Sequence, residues 1–293
     1  MTILEALDWG RQQLKSISSQ EISAPNPMVD AQVLLAHVLQ KPTSFLFSHF
    51  SEELTGDVEE RYQRAIKRRR QAEPVSQIIG NKSFYGRDFF INQFVLTPRP
   101  ETEMLVQAAL SLANEKTTFF DVGSGSGAIA ISIAAESGLP VIATDIDARA
   151  LEVAKQNCSQ HRVESAVSWL HGNLLEPFFK KHIRFPGHEN IIIVANLPYL
   201  KVAQWLTLTK DVKQFEPKHA LVGGVDGLDL YDILFQQIKK YRDYFPDNTQ
   251  VIIEIDPSQF RNAPALIQEY FPHTILRVEN DLAGRARMVV AKI

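Results

Sequence analysis

The residues best suited to chemistry in this sequence are four in a row: Asn196, Leu197, Pro198 and Tyr199. They follow the apolar run 191–195, so we expect them at the carboxyl end of a buried strand, where open α/β sheets bind ligands. The side-chain oxygen of Asn196 and a backbone carbonyl just after it could accept both N–H bonds of a planar amino group, with Tyr199 packed on that group. Because the lone pair of such a nitrogen is delocalised, catalysis would consist mainly of aiming it at an electrophile. Asn and Pro are also common in plain turns, so this motif needs a second signal.

The second signal is a glycine-rich turn that follows an apolar strand and opens a helix. Glycine lets the backbone turn tightly and leaves room for a ligand to lie on the turn. Gly123, Gly125 and Ala128 also satisfy the dinucleotide-binding pattern G-x-G-x-x-G/A. The turn therefore predicts a nucleotide-like ligand without choosing the chemistry. The residues expected to contact that ligand are Gly123, Ser124, Gly125, Ser126 and Gly127.

Asp145 is expected to end the next strand, 22 positions after Gly123. A carboxylate there can accept hydrogen bonds from both hydroxyls of a ribose, in a dehydrogenase as well as in a methyltransferase. Asp147 is the better candidate for capping the helix that follows. The acceptor motif separates the two enzyme classes. Hydride transfer does not require such a motif, whereas methyl transfer to an amide or an exocyclic amine does. The sequence thus predicts methyl transfer from S-adenosylmethionine to a planar nitrogen.

Three regions with different sequence patterns must position these residues. Residues 1–73 show helical spacing of apolar side chains without strands, and they predict a small helical domain. Residues 74–100 are rich in aromatic and β-branched side chains and predict a β-hairpin linker. In residues 101–293 helices alternate with apolar strands, which predicts an α/β catalytic domain with a mostly parallel sheet covered on both faces. The last two strands, near residues 274–280 and 287–293, are expected to form an antiparallel hairpin at the sheet edge.

Composition limits the remaining function classes. The chain has 293 residues and a net charge of −3, which argues against a stable nucleic-acid partner. It shows no apolar run long enough to span a bilayer and no secretory start, so no membrane partner is predicted and the cytoplasm is the expected location. No Cys/His cluster has zinc-ligand spacing, so no metal is predicted. The basic run 67–70 is interpreted either as a solvated helix end or as a contact for an acidic partner.

Longer stretches extend these motifs into a family resemblance that covers nearly the whole chain. They include PRPETE before the glycine turn, DVGSGSGAIAISIA, ATDIDARALEVAKQN, ANLPYL, FEPKHALVGGVDGLDLY and DLAGRARMVV. The sequence resembles the HemK/PrmC family, the protein-(glutamine-N5) methyltransferases of peptide chain release factors. The resemblance implies a Rossmann-like class I S-adenosylmethionine-dependent methyltransferase with a small all-helical N-terminal domain.

The resemblance also implies a substrate, which is the glutamine side-chain amide in the Gly-Gly-Gln motif of class-1 release factors, the proteins of translation termination. The N-terminal domain would grip a distant part of the release factor, with Arg68 to Arg70 as candidate contacts. We expect the enzyme to act as a monomer. The sequence does not indicate which release factor is preferred.

Roles for single residues follow from the same resemblance. S-adenosylmethionine would lie on the glycine turn, with its ribose on Asp145 and its adenine flanked by Asn173 and Leu174. The substrate glutamine would be held by the acceptor motif, beside the cofactor that Asn196 also borders. The residues expected to bind the substrate are Asn196, Leu197, Pro198 and Tyr199, and all of them except Leu197 are candidate catalytic residues.

Three positions depart from the family pattern. Leu197 stands where the family usually has a proline, and its backbone carbonyl can still accept a hydrogen bond. Pro198 also biases Leu197 towards an extended conformation, so we expect activity to survive. Asn173 stands where an acidic residue is usual and could accept from the adenine amine without charge assistance. Asp256 replaces a usual glycine, and the sequence does not indicate the effect.

Three other functions remain open at this point. The form Asn-Leu-Pro-Tyr is also typical of enzymes similar to the ribosomal RNA adenine dimethylases, which suggests the amine of a flipped-out base as an alternative substrate. The net charge, PRPETE and GGVDGL argue against that alternative. The departures at Leu197 and Asn173 would also fit a binding module that has lost catalysis. A dehydrogenase is the weakest alternative, because no residues for hydride chemistry accompany the glycine turn.

Overall fold

The computed structural model describes residues 1–17, 21–23, 25–181 and 190–293, and the chain divides into two compact units. The first unit comprises Met1–Asn81 and Thr207–Pro217, and the second comprises Lys82–Leu206 and Lys218–Ile293. The helices are α1 (Ile3–Leu14), α2 (Pro27–Leu39), α3 (Thr43–Ser48), α4 (Gly56–Arg70), α5 (Val75–Ile79), α6 (Glu103–Ser111), α7 (Ala128–Ser137), α8 (Ala148–Gln160), α9 (Glu176–Lys180), α10 (Val202–Thr207), α11 (Lys210–Phe215), α12 (Asp229–Lys240) and α13 (Asn262–Tyr270). The strands are β1 (Asn81–Phe84), β2 (Arg87–Phe90), β3 (Thr117–Val122), β4 (Val141–Asp145), β5 (Val167–His171), β6 (Asn190–Ala195), β7 (Gln250–Glu254), β8 (Ile275–Asn280) and β9 (Ala286–Lys292).

The helical unit is built on close approach of its long helices. Thr2 caps α1 by accepting from the Glu5 backbone N–H, and the Glu5 carboxylate accepts from the Thr2 N–H in return. Tyr62 of α4 is fully buried, and its hydroxyl donates to the Ala31 carbonyl of α2 at 3.3 Å. A Cβ on Gly10 of α1 would lie 2.1 Å from that hydroxyl, so glycine is what lets α1 pack against Tyr62.

The segment Thr207–Pro217 lies in the helical unit, whereas the sequence-based division assigns everything after residue 100 to the catalytic domain. It belongs to the helical unit because Asp211 is anchored there. The Asp211 carboxylate accepts from the Ser23 N–H at 2.9 Å, and the Asp211 N–H donates to the Glu21 carbonyl at 3.1 Å. Nearly two hundred residues separate these partners in sequence, and no local pattern predicts such a contact.

Three side chains of the basic run at the end of α4 form ion pairs or hydrogen bonds within the helical unit. Arg69 is 5% exposed and its Nε pairs with Asp30 at 2.7 Å. Arg68 pairs with Glu73, and Arg70 donates to Gln13 Oε1 at 3.1 Å. The interpretation of Arg68 to Arg70 as one patch for an acidic partner is therefore wrong for Arg69, whose charge is buried against Asp30.

The second unit contains a seven-stranded sheet in the order β5-β4-β3-β6-β7-β9-β8. Strands β3 to β7 run parallel, and β9 pairs antiparallel with both β7 and β8. This confirms the predicted α/β fold and its antiparallel edge hairpin. Every residue of β3 and of β6 is buried, as expected for central parallel strands covered by helices on both faces.

Strand order reverses at β3, whose neighbours β4 and β6 lie on opposite sides. The crevice at such a switch point is where open α/β sheets bind ligands. Val122, the last residue of β3, pairs in register with Ala195, the last residue of β6. The glycine turn and the acceptor motif therefore leave the sheet side by side.

The predicted hairpin is shorter than its sequence region. It consists of β1 and β2, while α5 precedes it and ends at Gly80 in a left-handed conformation. Asn157 of α8 ties the hairpin to the glycine turn, since its Nδ2 donates to the carbonyls of Phe90 and Ser126 at 2.9 Å each. Across the described residues, no helix has the length and apolar character to cross a membrane.

Candidate active site

One cavity at the switch point collects most of the residues predicted from the sequence. Its walls come from the glycine turn, the end of β4, the turn after β5 and the acceptor motif after β6. The predicted residues that line it are Gly123, Ser124, Gly125, Ser126, Asp145, Asn173, Leu174, Asn196, Leu197 and Pro198. Two predicted residues, Gly127 and Tyr199, do not line this cavity.

The glycine turn is fixed to β4 by its backbone. The N–H groups of Gly123 and Ser124 both donate to the Thr144 carbonyl at 2.9 Å. Gly123, Gly125 and Gly127 have φ values of 79°, 55° and 80°, in the left-handed region that favours glycine. Gly127 serves packing, because a Cβ there would lie 2.9 Å from both Ile131 and Trp169.

Asp145 projects into the cavity with its carboxylate already organised. Its Oδ2 accepts from the Gly125 N–H at 2.8 Å and its Oδ1 accepts from the Asp147 N–H at 2.9 Å. Each carboxylate oxygen has a second lone-pair direction, so both can still accept from a ribose diol. Burial raises the pKa of Asp145 above its usual value, while the two backbone bonds act in the opposite direction.

Asp121, the second-last residue of β3, is a buried carboxylate that is only partly hydrogen-bonded. Its Oδ2 accepts from the Ala130 N–H at 3.1 Å, while its Oδ1 has no hydrogen-bond partner within the part of the chain that the structure describes. Burial raises the pKa of Asp121 to about 7. A cationic ligand group nearby would offset this cost by favouring the ionised carboxylate. Asp121 itself does not line the cavity, and the fit to an adenosine rests on the Asp145 carboxylate and on the apolar walls at Phe94 and Ile146.

The turn after β5 adds backbone strain at the cavity wall. Leu174 has a φ of 51°, which is uncommon for a residue with a Cβ. Its side chain is 6% exposed and packs in the hydrophobic core, which holds the conformation in place. Ile146 lines the same cavity but is 62% exposed, so it offers an apolar surface to a ring that enters.

The acceptor motif is held by hydrogen bonds at three of its four residues, Asn196, Leu197 and Tyr199. The Asn196 side-chain Nδ2 donates to Thr102 Oγ1 at 3.0 Å, and the Leu197 N–H donates to the Tyr231 hydroxyl at 3.2 Å. Tyr199 donates from its hydroxyl to Glu254 Oε1 at 3.1 Å. These contacts fix the direction of the Asn196 amide and of the peptide that follows it.

Tyr199 lies in a different place from the one that its predicted role requires. We expected its ring to stack on the substrate, but the ring packs against the hydrophobic core and its hydroxyl binds buried Glu254. The reason is a carboxylate 55 residues later in the chain, which the local motif does not reveal. A stacking role for Tyr199 in the bound state stays a prediction.

A glycine loop braces the acceptor motif from outside. The Leu200 N–H donates to the Leu221 carbonyl, and the Gly223 N–H donates to the Leu200 carbonyl, both at 2.9 Å. A Cβ on Gly223 would lie 2.0 Å from the Pro198 carbonyl oxygen, and one on Gly227 would lie 2.0 Å from the Tyr199 carbonyl oxygen. The glycines at 223 and 227 are therefore explained by the close approach of this loop's backbone to the backbone of the acceptor motif.

Sequence reasoning did not select several residues that build this site. Thr102 and Arg99 line the cavity and lie in PRPETE, which we used only as a family signature. Glu254 and Tyr231 lie behind the acceptor motif. A glutamate inside the apolar run 251–255 was a usable signal, because buried carboxylates are rare unless they are paired.

Curated relatives match the sequence over the whole chain. Residues 5–80 match the family model of the PrmC N-terminal domain, and residues 98–218 match that of ribosomal protein L11 methyltransferase (PrmA). The chain is 35% identical to a release factor glutamine methyltransferase of Bacillus anthracis, with 100% of both chains covered. It is 34% identical to the protein of that name from Bacillus subtilis (strain 168), covering 100% of this chain and 98% of the relative.

The chain belongs to the release factor glutamine methyltransferase family. Membership confirms the predicted fold class, the methyltransferase activity and the cofactor, S-adenosylmethionine. Among solved structures, the Human methyltransferase 10 domain containing protein is similar with a TM-score of 0.51 and 14% identity, covering 71% of this chain and 88% of that one. At that identity the likeness shows the fold alone.

The departures from the family pattern have local explanations in this methyltransferase. Leu197 is buried, and a Cβ on Gly123 would lie 2.8 Å from its Cδ2, so the bare glycine turn makes room for the leucine side chain. Leu197 also keeps an N–H, used here on Tyr231, that the usual proline would lack.

Asp256 likewise has a local role, as the cap of the turn Pro257–Gln259. Its Oδ1 accepts from the Ser258 N–H, and its own N–H donates to Gln259 Oε1, both at 2.9 Å. Gln259 Nε2 in turn donates to the carbonyls of Tyr199 and Asp226 at 3.0 and 3.1 Å. The residue therefore supports the bridge between the acceptor motif and its glycine loop.

Proposed function

We propose that this enzyme methylates the side-chain amide nitrogen of the glutamine in the Gly-Gly-Gln motif of class-1 peptide chain release factors, in the cytoplasm. The observation that carries the proposal is the adjacency of Asn196 to the glycine turn, since Val122 and Ala195 pair in register. Full-length relatives named release factor glutamine methyltransferase support the choice of substrate.

The cofactor supplies an electrophilic methyl group on a sulfonium. The turn at residues 123–126 would hold it, Asp145 would accept from its ribose hydroxyls, and Asn173 with Leu174 would border its adenine. All of these residues line one cavity. Apolar walls at Phe94 and Ile146 favour an aromatic ring over bulk water.

The acceptor motif would hold the substrate by its two N–H bonds. Asn196 Oδ1 and the Leu197 backbone carbonyl each accept one, which leaves the nitrogen lone pair directed at the methyl carbon. When bound, the cofactor would supply its methyl group to this nitrogen, with loss of the carbon–sulfur bond and release of one N–H proton to solvent. Holding the reactants in this geometry is the main contribution of the protein, because a well-oriented pair gains several kcal/mol over free encounter, roughly 7–11 at best.

The test is tritium transfer from labelled S-adenosylmethionine to a purified class-1 release factor. A release factor with its motif glutamine changed to alanine and a ribosomal RNA serve as matched acceptors. We expect label on the intact release factor alone. Label on the RNA would replace the glutamine with a base amine as substrate, and cofactor binding without transfer to any acceptor would make the chain a binding module.

A further inference from the structure

A chain of buried polar groups lies behind the acceptor motif. Glu254, at the end of β7, is 1% exposed, and its Oε2 accepts from the Thr102 hydroxyl at 2.7 Å. Thr102 Oγ1 in turn accepts from Asn196 Nδ2 at 3.0 Å. Thr102 is 4% exposed, so this chain is shielded from solvent as far as the cavity wall.

The direction of each hydrogen bond in this chain follows from the charge of Glu254. An ionised carboxylate only accepts, so the single hydroxyl proton of Thr102 goes to Glu254. Thr102 can then only accept from the next group, which must be the nitrogen of the Asn196 amide. The amide oxygen consequently faces the other way. This deduction does not depend on which of the two amide atoms is assigned as nitrogen.

Glu254 also reaches the next residue of the motif through its backbone. Its carbonyl accepts from the Tyr231 hydroxyl at 2.5 Å, and the oxygen of that hydroxyl accepts from the Leu197 N–H at 3.2 Å. Tyr231 is fully buried. One residue of β7 thus anchors the Asn196 side chain and the Asn196–Leu197 peptide, which comes directly before the Leu197 carbonyl that is required to accept from the substrate nitrogen.

We propose that Glu254 and Thr102 are positioning residues that set the polarity of the Asn196 amide, so that Oδ1 accepts from the substrate nitrogen and Nδ2 is turned away. The inference rests on the proposed function and adds residues that the acceptor motif does not contain. With the opposite polarity, an NH₂ group of Asn196 would face the NH₂ group of the substrate, and neither could accept.

The surroundings of Glu254 make this polarity sensitive to pH. Burial raises the pKa of Glu254 to about 6, while the bonds from Thr102 and Tyr199 and the charge of Arg287 act to lower it. Glu101 acts to raise it, Tyr231 is also close enough to interact with its charge, and Arg99 faces the adjoining Tyr199 hydroxyl. The carboxylate is ionised above about pH 6, so the fixed polarity is present there and is lost as the pH falls through that value.

The first test compares Thr102→Val with Thr102→Ser. Valine has nearly the shape of threonine but cannot accept from Asn196, whereas serine keeps the hydroxyl. We expect Thr102→Val to lower kcat for release-factor methylation by roughly a hundredfold, with cofactor affinity within about twofold of wild type. We expect Thr102→Ser to remain within about fivefold of wild type. Equal kcat values for the two variants would overturn the positioning role.

The second test uses Glu254→Gln, whose amide can donate to Thr102 and so permits the reversed polarity. We expect kcat to fall and its decline below about pH 6 to disappear, while thermal unfolding confirms a folded protein. A Glu254→Gln enzyme with the wild-type pH profile would contradict the inference, and the threonine pair decides it if this variant does not fold. Wild-type enzyme without transfer would instead refute the proposed function, so the two failures are distinguishable.

Discussion

Substitution of Gly223 by alanine tests how rigidly the acceptor motif must be held. A Cβ there would lie 2.0 Å from the Pro198 carbonyl oxygen, a separation that real contacts do not reach. The backbone φ of Gly223 lies outside the left-handed region, so the clash is the whole effect. The added Cβ is fixed directly to the backbone, and the Pro198 carbonyl is itself backbone, so neither can rotate away as a long side chain would.

The size of the effect follows from that geometry. Relief of the clash requires the Pro198 peptide to move by about 1 Å, and a misplacement of that size costs roughly a hundredfold in rate. A hundredfold corresponds to about 2.7 kcal/mol of transition-state stabilisation. The cofactor turn lies on the neighbouring strand β3, so cofactor affinity should change by less than about threefold.

The assay is steady-state methylation of a release factor, together with cofactor titration and thermal unfolding of the same preparations. Gly56→Ala is the control, because a Cβ there meets nothing within 4 Å. We expect the control to retain the wild-type kcat and Gly223→Ala to lose about a hundredfold. A folded Gly223→Ala enzyme with kcat within about threefold of wild type would show that the motif tolerates displacement, and the orientation argument would be refuted.

Three further substitutions separate the parts of the site. Asn196→Ala should abolish methyl transfer and leave cofactor affinity within a few-fold, as measured by single turnover and titration; measurable turnover would remove Asn196 from the mechanism. Asp145→Ala should weaken cofactor binding by about 1–3 kcal/mol, because a hydrogen-bonded pair is lost; calorimetry that finds unchanged affinity would take Asp145 off the ribose. Asp256→Gly should leave kcat within about threefold of wild type, because glycine keeps the backbone N–H that binds Gln259 Oε1 and loses only the side-chain bond to the Ser258 N–H; a tenfold loss of kcat in a folded variant would assign the Asp256 carboxylate to positioning of the acceptor motif.

Much of the fold could be predicted from the sequence because its strands are short, apolar and regularly spaced. The burial of every residue in β3 and β6 is the physical cause of the apolar runs that predict these two strands. The same runs end in the glycine turn and in Asn196, so their adjacency followed once a parallel sheet was expected. Asp145 ends β4, as the same pattern predicts, and it lines the cavity, while its contact with a ribose stays a prediction.

The rest of the site depends on contacts between distant residues. Thr102 and Glu254 are 152 positions apart, and the chain through Asn196 appears only when β7 is placed beside β6. A distant contact also explains why Tyr199 lies outside the cavity where it was expected, since its hydroxyl binds Glu254 instead. The membership of Thr207–Pro217 in the helical unit is a further contact of this kind.

The measurement that tests the central claim most directly is tandem mass spectrometry of the release factor after reaction with wild-type enzyme and with Asn196→Ala. Orientation of a glutamine amide by the acceptor motif predicts one added methyl group, on the side-chain nitrogen of the motif glutamine, with the wild-type enzyme only. A methyl group on any other residue, or the same modification by Asn196→Ala, would contradict the role given to this site.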